Sequence, residues 1–204
     1  MSLTLDRDRS ALLLLDFQRD VCAPGGRMLS PDPEVQARFA AAIATAATIL
    51  AAARAARLRT IHVRHAFAPG HPELLGLRHR TGMQRYMIGQ GAFVDGAPGS
   101  EIVAPLVPIA GEAVLRKTTI SPFASTDLGE RLAAAGVETV VLTGFVTHYV
   151  VYTTAVAASD LGLRVVVVRD ACASANPETH ATVLSVLGPI AELRDAAELV
   201  AALA

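Results

Sequence analysis

Short continuous apolar runs alternate along the chain with longer helical patterns, and that alternation predicts most of the fold. Ala11–Gln18 (ALLLLDFQ) is apolar at every position through Leu15, as expected of a strand buried on both faces. Further strands are predicted at Arg59–His65, Ala113–Lys117, Glu138–Phe145, Arg164–Ala171 and Ile190–Leu193. Helical stretches lie between them. Pro33–Leu58 is alanine-rich and opens with Asp32 as N-cap and Pro33 in the first turn, where a missing N–H costs nothing. Asp127–Ala135 and Thr147–Leu161 end at Gly136 and Gly162, residues free to take the left-handed conformation that closes a helix. Pro177–Leu187 and Ala196–Leu203 complete the series.

Strands and helices that alternate through right-handed crossovers build a parallel sheet covered on both sides. The predicted fold is therefore α/β: a three-layer, doubly wound, mostly parallel sheet of about six strands with helices on both faces. Ala66–Gly111 breaks the rhythm with many glycines and prolines, and reads as an extended loop with short helical pieces, a lid or an oligomer contact. No repeat or linker divides the chain, so residues 1–204 are expected to form one domain.

Composition narrows the function classes. The chain has 204 residues, 52% of them hydrophobic, and a formal net charge of −1. No basic patch offers phosphate contacts, so a nucleic-acid partner is not expected. Ala11–Leu15 is too short for a membrane span or a signal-peptide core, so the expectation is a cytoplasmic protein with no membrane partner. Cys22 and Cys172 stand alone, without the paired spacing of a disulfide framework or a thiolate zinc site. Of the 18 basic residues other than histidine, only Lys117 is a lysine. Arginine serves wherever charge alone matters, so the remaining lysine is a candidate for a position that needs a compact, tunable point charge.

Ligands of open parallel sheets bind beyond the carboxyl ends of the strands. Asp16 ends the first predicted strand, Lys117 the third, and Gly144–Thr147 follow the fourth. A nucleotide is a poor fit. The turn Asp16–Asp20 has two carboxylates and no glycine, and no glycine-rich loop precedes Lys117.

Four segments together resemble the isochorismatase-like, or cysteine hydrolase, superfamily. They are Asp16-Phe17-Gln18-Arg19-Asp20 with Pro24-Gly25-Gly26; Lys117 with Ser121, Phe123, Thr126 and Leu128; Thr143-Gly144-Phe145-Val146-Thr147 followed by Thr154-Ala155; and Val168-Arg169-Asp170-Ala171. The resemblance implies a hydrolase of a small molecule, with Asp16 and Lys117 catalytic, working as a homodimer or homotetramer. It also implies a non-proline cis peptide at Phe145–Val146. The substrate pocket it implies is formed by Phe17, Gln18, Ser121, Phe123, Phe145, Val146, Thr147, His148, Tyr149 and Val150. By its residue type and place, Thr147 also reads as the helix N-cap. The family's amidohydrolases place a nucleophilic cysteine in the first turn after strand four. That position is Val150 here, so the covalent mechanism does not transfer. Cys172 reads as a core residue, and Cys22 sits in the first loop.

True isochorismatases cleave a vinyl ether without that cysteine, the aspartate acting as general acid, and His148 matches a histidine of that branch. The tryptophan and arginine that follow its lysine are absent, replaced by Thr118, Thr119 and Ile120. Nicotinamidases carry a metal-binding Asp-x-His pair after strand two. The stretch His62-Val63-Arg64-His65 lacks the aspartate, so both histidines are expected to be structural, with no metal and no cofactor. Two readings follow: a hydrolase of a vinyl-ether or C–N bond that uses Asp16 and Lys117 without a covalent intermediate, or a family member that binds without turnover.

Overall fold

The computed structural model describes residues 3–204. In chain order the elements are β1 (Ser10–Leu15), α1 (Arg19–Cys22), α2 (Pro33–Ala55), β2 (Arg59–His65), α3 (Pro72–Leu75), α4 (Gly82–Gln90), β3 (Ala113–Lys117), α5 (Leu128–Ala134), β4 (Thr139–Phe145), α6 (Tyr152–Asp160), β5 (Arg164–Ala173), α7 (Pro177–Leu187), β6 (Glu192–Arg194) and α8 (Ala196–Leu203). The strands form one six-stranded sheet in the order β3-β2-β1-β4-β5-β6, and every pairing is parallel. The expected doubly wound α/β fold is observed, wholly rather than mostly parallel.

The two sheet faces follow from the alternation along each strand. Leu12, Leu14, Val141, Val166 and Val168 point to one side, where they meet Ile49 and Leu50 of α2 and Leu199 of α8. Ala11, Leu13, Leu15, Leu142 and Val167 point to the other, where they meet Leu132 of α5, Ala155 of α6 and Leu187 of α7. Helix α2 is apolar enough for a membrane by length and mean hydropathy, 1.5; here it packs on the sheet.

Boundaries shift where backbone geometry overrides hydrophobicity. β1 ends at Leu15 because Asp16 takes a left-handed φ of 56°, so Phe17 and Gln18 leave the strand. Helix α2 stops before Leu58 because Arg57 is left-handed as well, with φ 55°. β5 runs on to Ala173 past a register shift against β4. The last strand starts two residues later than its apolar run suggested and ends one residue later. Thr147–Val151 form a π-helical turn ahead of α6. The N-cap position is Val146 rather than Thr147; the Thr147 hydroxyl instead pairs with His180 Nδ1 at 2.8 Å.

Order along the sheet reverses between β1 and β4, and the chain crosses from one side of the fold to the other there. Such a switch point opens a crevice at the strands' carboxyl ends. The close approach of β4 to β1 depends on Gly144, whose φ is 149° and where a Cβ would lie 2.2 Å from the Leu15 carbonyl oxygen. The segment between β2 and β3 carries α3 and α4 and lies over this crevice. It is tied down by Asp95, which pairs with Arg64 at 2.7 Å and Arg116 at 2.9 Å.

Candidate active site

Four adjacent strands each end in the crevice. In sheet order their last residues are Lys117 of β3, His65 of β2, Asp16 just after β1, and the Phe145–Val146 peptide at the end of β4, which is cis. Lys117 is completely buried and Asp16 and His65 nearly so. Lys117 Nζ lies 2.8 Å from Asp16 Oδ2, 2.6 Å from His65 Nε2 and 3.1 Å from the Thr119 carbonyl oxygen. An ammonium has three donors, and three acceptors surround it. Lys117 is therefore a fixed cation with no N–H left for a ligand.

Burial dominates the protonation of this cluster, because taking charge out of water favours the neutral form. It pushes the Asp16 carboxyl up to about 6, against the pull of Lys117. Asp16 Oδ1, buried without a hydrogen-bond partner, adds no stabilisation of the anion. Burial pushes Lys117 down, against Asp16, and holds His65 well below the usual histidine range, with Lys117 adding to the effect. Because His65 Nε2 accepts from Lys117, the neutral ring carries its proton on Nδ1.

The histidine at the end of β2 was expected to be structural; the geometry makes it the third member of the cluster. Gln18 fixes its backbone, accepting from His65 N at 2.7 Å and donating to the His65 and Ser100 carbonyls at 2.8 Å. The ring lies against Phe67 and Phe93, with centroids 5.5 and 5.2 Å away. His65→Phe keeps that ring volume and deletes the acceptor. One Lys117 N–H is then left unpaired in the interior, which should lower stability by about 1–3 kcal/mol in urea unfolding. His62, also expected to be structural, sits apart and pairs with Glu112 Oε2 at 2.8 Å.

Asp16, His65 and Lys117 line a cavity of about 350 Å³. Of the other pocket candidates, Phe145, Val146, His148, Tyr149 and Val150 line it. Phe17, Gln18, Ser121, Phe123 and Thr147 do not. Phe17 stands behind the wall, edge-on to Phe145 at 4.9 Å, and Gln18 is the clamp on β2 described above. Phe123 packs on the opposite face of the sheet with the α5 and α6 residues. Ser121 is a turn residue whose backbone carbonyl accepts from Thr119 Oγ1. The side chains missed by sequence reasoning include Met28, Val35 and Phe39, on and before α2, and Met83, Met87 and Phe93, on and after α4. Phe39 stacks on Phe145 at 4.6 Å. Phe93 is held in place by its N–H, which donates to Asp20 Oδ2 at 2.7 Å.

Neither cysteine belongs to this cavity's lining. Burial pushes both thiols up to about 12. Cys22 donates to the Gln18 carbonyl at 3.1 Å, and Cys172 is 3.9 Å from the Leu142 carbonyl. A thiol that stays protonated is a poor nucleophile. Among the described residues no group of three or more His, Cys, Asp or Glu side chains could hold a metal ion.

Residues 10–198 match the Isochorismatase domain family. Maleamate amidohydrolase of Pseudomonas putida is 32% identical over 173 residues, which span 84% of this chain and 76% of that protein. The crystal structure of a cysteine hydrolase from Pseudomonas syringae pv. phaseolicola shares the fold, with a TM-score of 0.85 at 23% identity over 98% of this chain and 95% of the other. An isochorismatase family protein from Desulfovibrio vulgaris gives a TM-score of 0.81 at 28% identity, covering 95% and 97%. The chain belongs to the isochorismatase family of hydrolases.

Proposed function

We propose that this hydrolase cleaves a C–N bond of a small organic molecule by acid–base catalysis at Asp16, with Lys117 as its fixed counter-charge and no covalent enzyme intermediate. One observation carries the reading: a buried carboxyl held near 6 borders a ligand-sized cavity lined by Val150, the residue that the family resemblance sets at the nucleophile's position. A proton acceptor with that affinity is well placed to act on both sides of neutral pH. The ionised carboxylate takes a proton from a water molecule as its oxygen attacks the substrate carbonyl. The carboxylic acid so formed returns that proton to the departing nitrogen, and the C–N bond breaks. The maleamate amidohydrolase relative supports cleavage of a C–N bond.

A second reading draws on Val150 alone. Vinyl-ether hydrolysis needs a proton donor but no nucleophile, and Asp16 in its acid form is such a donor. The pH profile separates the two, because kcat/KM reports the ionisation of the free enzyme. Base catalysis predicts that kcat/KM rises tenfold per pH unit below about 6 and levels off above it. A profile that falls through the same region assigns the acid role and overturns the first reading. On the strength of the family resemblance we also take the working form to be a homodimer or homotetramer, and we propose a cytoplasmic location; light scattering and cell fractionation would measure the two.

A further inference from the structure

We infer that the substrate of this cavity is an uncharged, predominantly apolar molecule of about one ring, and not a carboxylate. The inference rests on the reading of this cavity as the reaction site and adds the chemical class of what enters it. Its first support is what the lining lacks. Among the described residues no arginine lines the cavity, in a chain whose lysines and arginines are arginine in every case but one. The single lysine has all its donors engaged by Asp16, His65 and Thr119. The Asp16–Lys117 pair is neutral as a unit. A bound carboxylate would therefore be stripped of water beside Asp16 with no cation of its own, and an unpaired buried charge is strongly unfavourable. The remaining titratable groups do not change this: His65 and His148 are both held below the usual histidine range by burial and are uncharged at neutral pH.

What the lining contains points the same way. Met28, Met83 and Met87 all line the cavity, and they are every methionine of the chain after Met1. Phe39, Phe93 and Phe145 join them, although aromatic residues are 4% of the sequence. Methionine side chains are flexible and polarisable and adapt to an apolar guest, with favourable contacts to aromatic rings. The volume, about 350 Å³, lies at the lower end of the range for small-molecule sites and suits one ring with a short substituent. The polar part of such a ligand is left to face Asp16 and the side chains of His148 and Tyr149.

The test uses binding alone, so it does not depend on turnover. Acetophenone and benzoate have nearly the same shape and differ in charge. Isothermal titration of the wild-type protein at pH 7.5 should show saturable binding of acetophenone at least ten times tighter than that of benzoate. Met87→Arg, which places a cation in the wall, should reverse the order. Met83→Arg on the same helix serves if the first variant does not fold. Benzoate binding equal to or tighter than acetophenone in the wild type overturns the inference, and so does the absence of saturable acetophenone binding. If acetophenone binds as expected while no C–N or vinyl-ether compound is turned over, the ligand class stands and the hydrolytic reading of Asp16 fails.

Discussion

Asp16→Asn should lower kcat/KM by about 10²- to 10⁴-fold, the range a positioned acid–base group contributes. Asparagine preserves the shape of the side chain and keeps an oxygen to accept from Lys117, so the cavity wall is retained. It cannot take up and return a proton. The same substitution has a second signature, in stability. The native Asp16 carboxyl sits at about 6, above the ordinary aspartate value of 3.8, so the folded state binds that proton more tightly than the unfolded chain. The resulting stabilisation is complete below 3.8 and is lost as pH rises through about 6. Asparagine does not titrate. In the variant, Lys117 also loses the two influences that raise its pKa, the charge and the hydrogen bond of Asp16. A buried lysine held further down gains stability as pH rises, because the unfolded chain then binds the extra proton. Both effects have the same sign. Urea unfolding should show the wild type losing stability relative to Asp16→Asn between pH 4 and 6.5. An unchanged kcat/KM would remove Asp16 from the chemistry, and a constant stability difference would show that its carboxyl is not raised.

Sequence alone revealed the rim of the site and the part of its wall that follows β4. Asp16, Lys117 and the Gly144–Thr147 turn could be placed because strand ends and their polar residues are local signals, readable from hydrophobic runs. His65 was visible as a strand end too, but its role depends on strand order. Once β2 lies between β1 and β3, its last residue falls between Asp16 and Lys117. Right-handed crossovers between successive strands favour that neighbourhood, so the signal was present in the topology rather than in the residue. Phe17 and Phe123 went the other way. Each is an aromatic next to a motif, yet one turns behind Phe145 and the other crosses to the α5 face. Proximity in sequence does not say which side of the backbone a side chain takes once the chain has left the strand. Met83, Met87 and Phe93 were illegible for a different reason. They belong to the long segment between β2 and β3, whose path is set by tertiary ties such as Asp20 to the Phe93 N–H and Asp95 to Arg64 and Arg116. No local periodicity encodes those contacts.

Lys117→Arg should be as damaging as Lys117→Met, although it keeps the charge. The wild-type nitrogen is a single point with acceptors at 2.8, 2.6 and 3.1 Å on three sides, in a side chain with no solvent exposure. A guanidinium spreads its five donors over a planar fork, which cannot satisfy that arrangement and has no water in which to place the remainder. Overpacking of this kind costs about 1–3 kcal/mol, and unmet N–H groups add to it. Lys117→Met fits the volume and fails differently. It removes both interactions that lower the Asp16 pKa, so the carboxyl becomes a neutral acid at pH 7 and the limb of the pH–rate profile moves upward. Breaking one side of a buried ion pair costs about 3–5 kcal/mol when the other side stays charged. Asp16 escapes part of that cost by protonating, so Lys117→Met should lose less than this at pH 5 and more at pH 8. The double variant Asp16→Asn with Lys117→Met should recover stability relative to Asp16→Asn alone, because it no longer buries an uncompensated ammonium. Recovery of stability without recovery of turnover would separate the two demands on this position. If instead Lys117→Arg kept wild-type kcat/KM, charge alone would suffice there, and nothing in the site would account for a lysine among arginines.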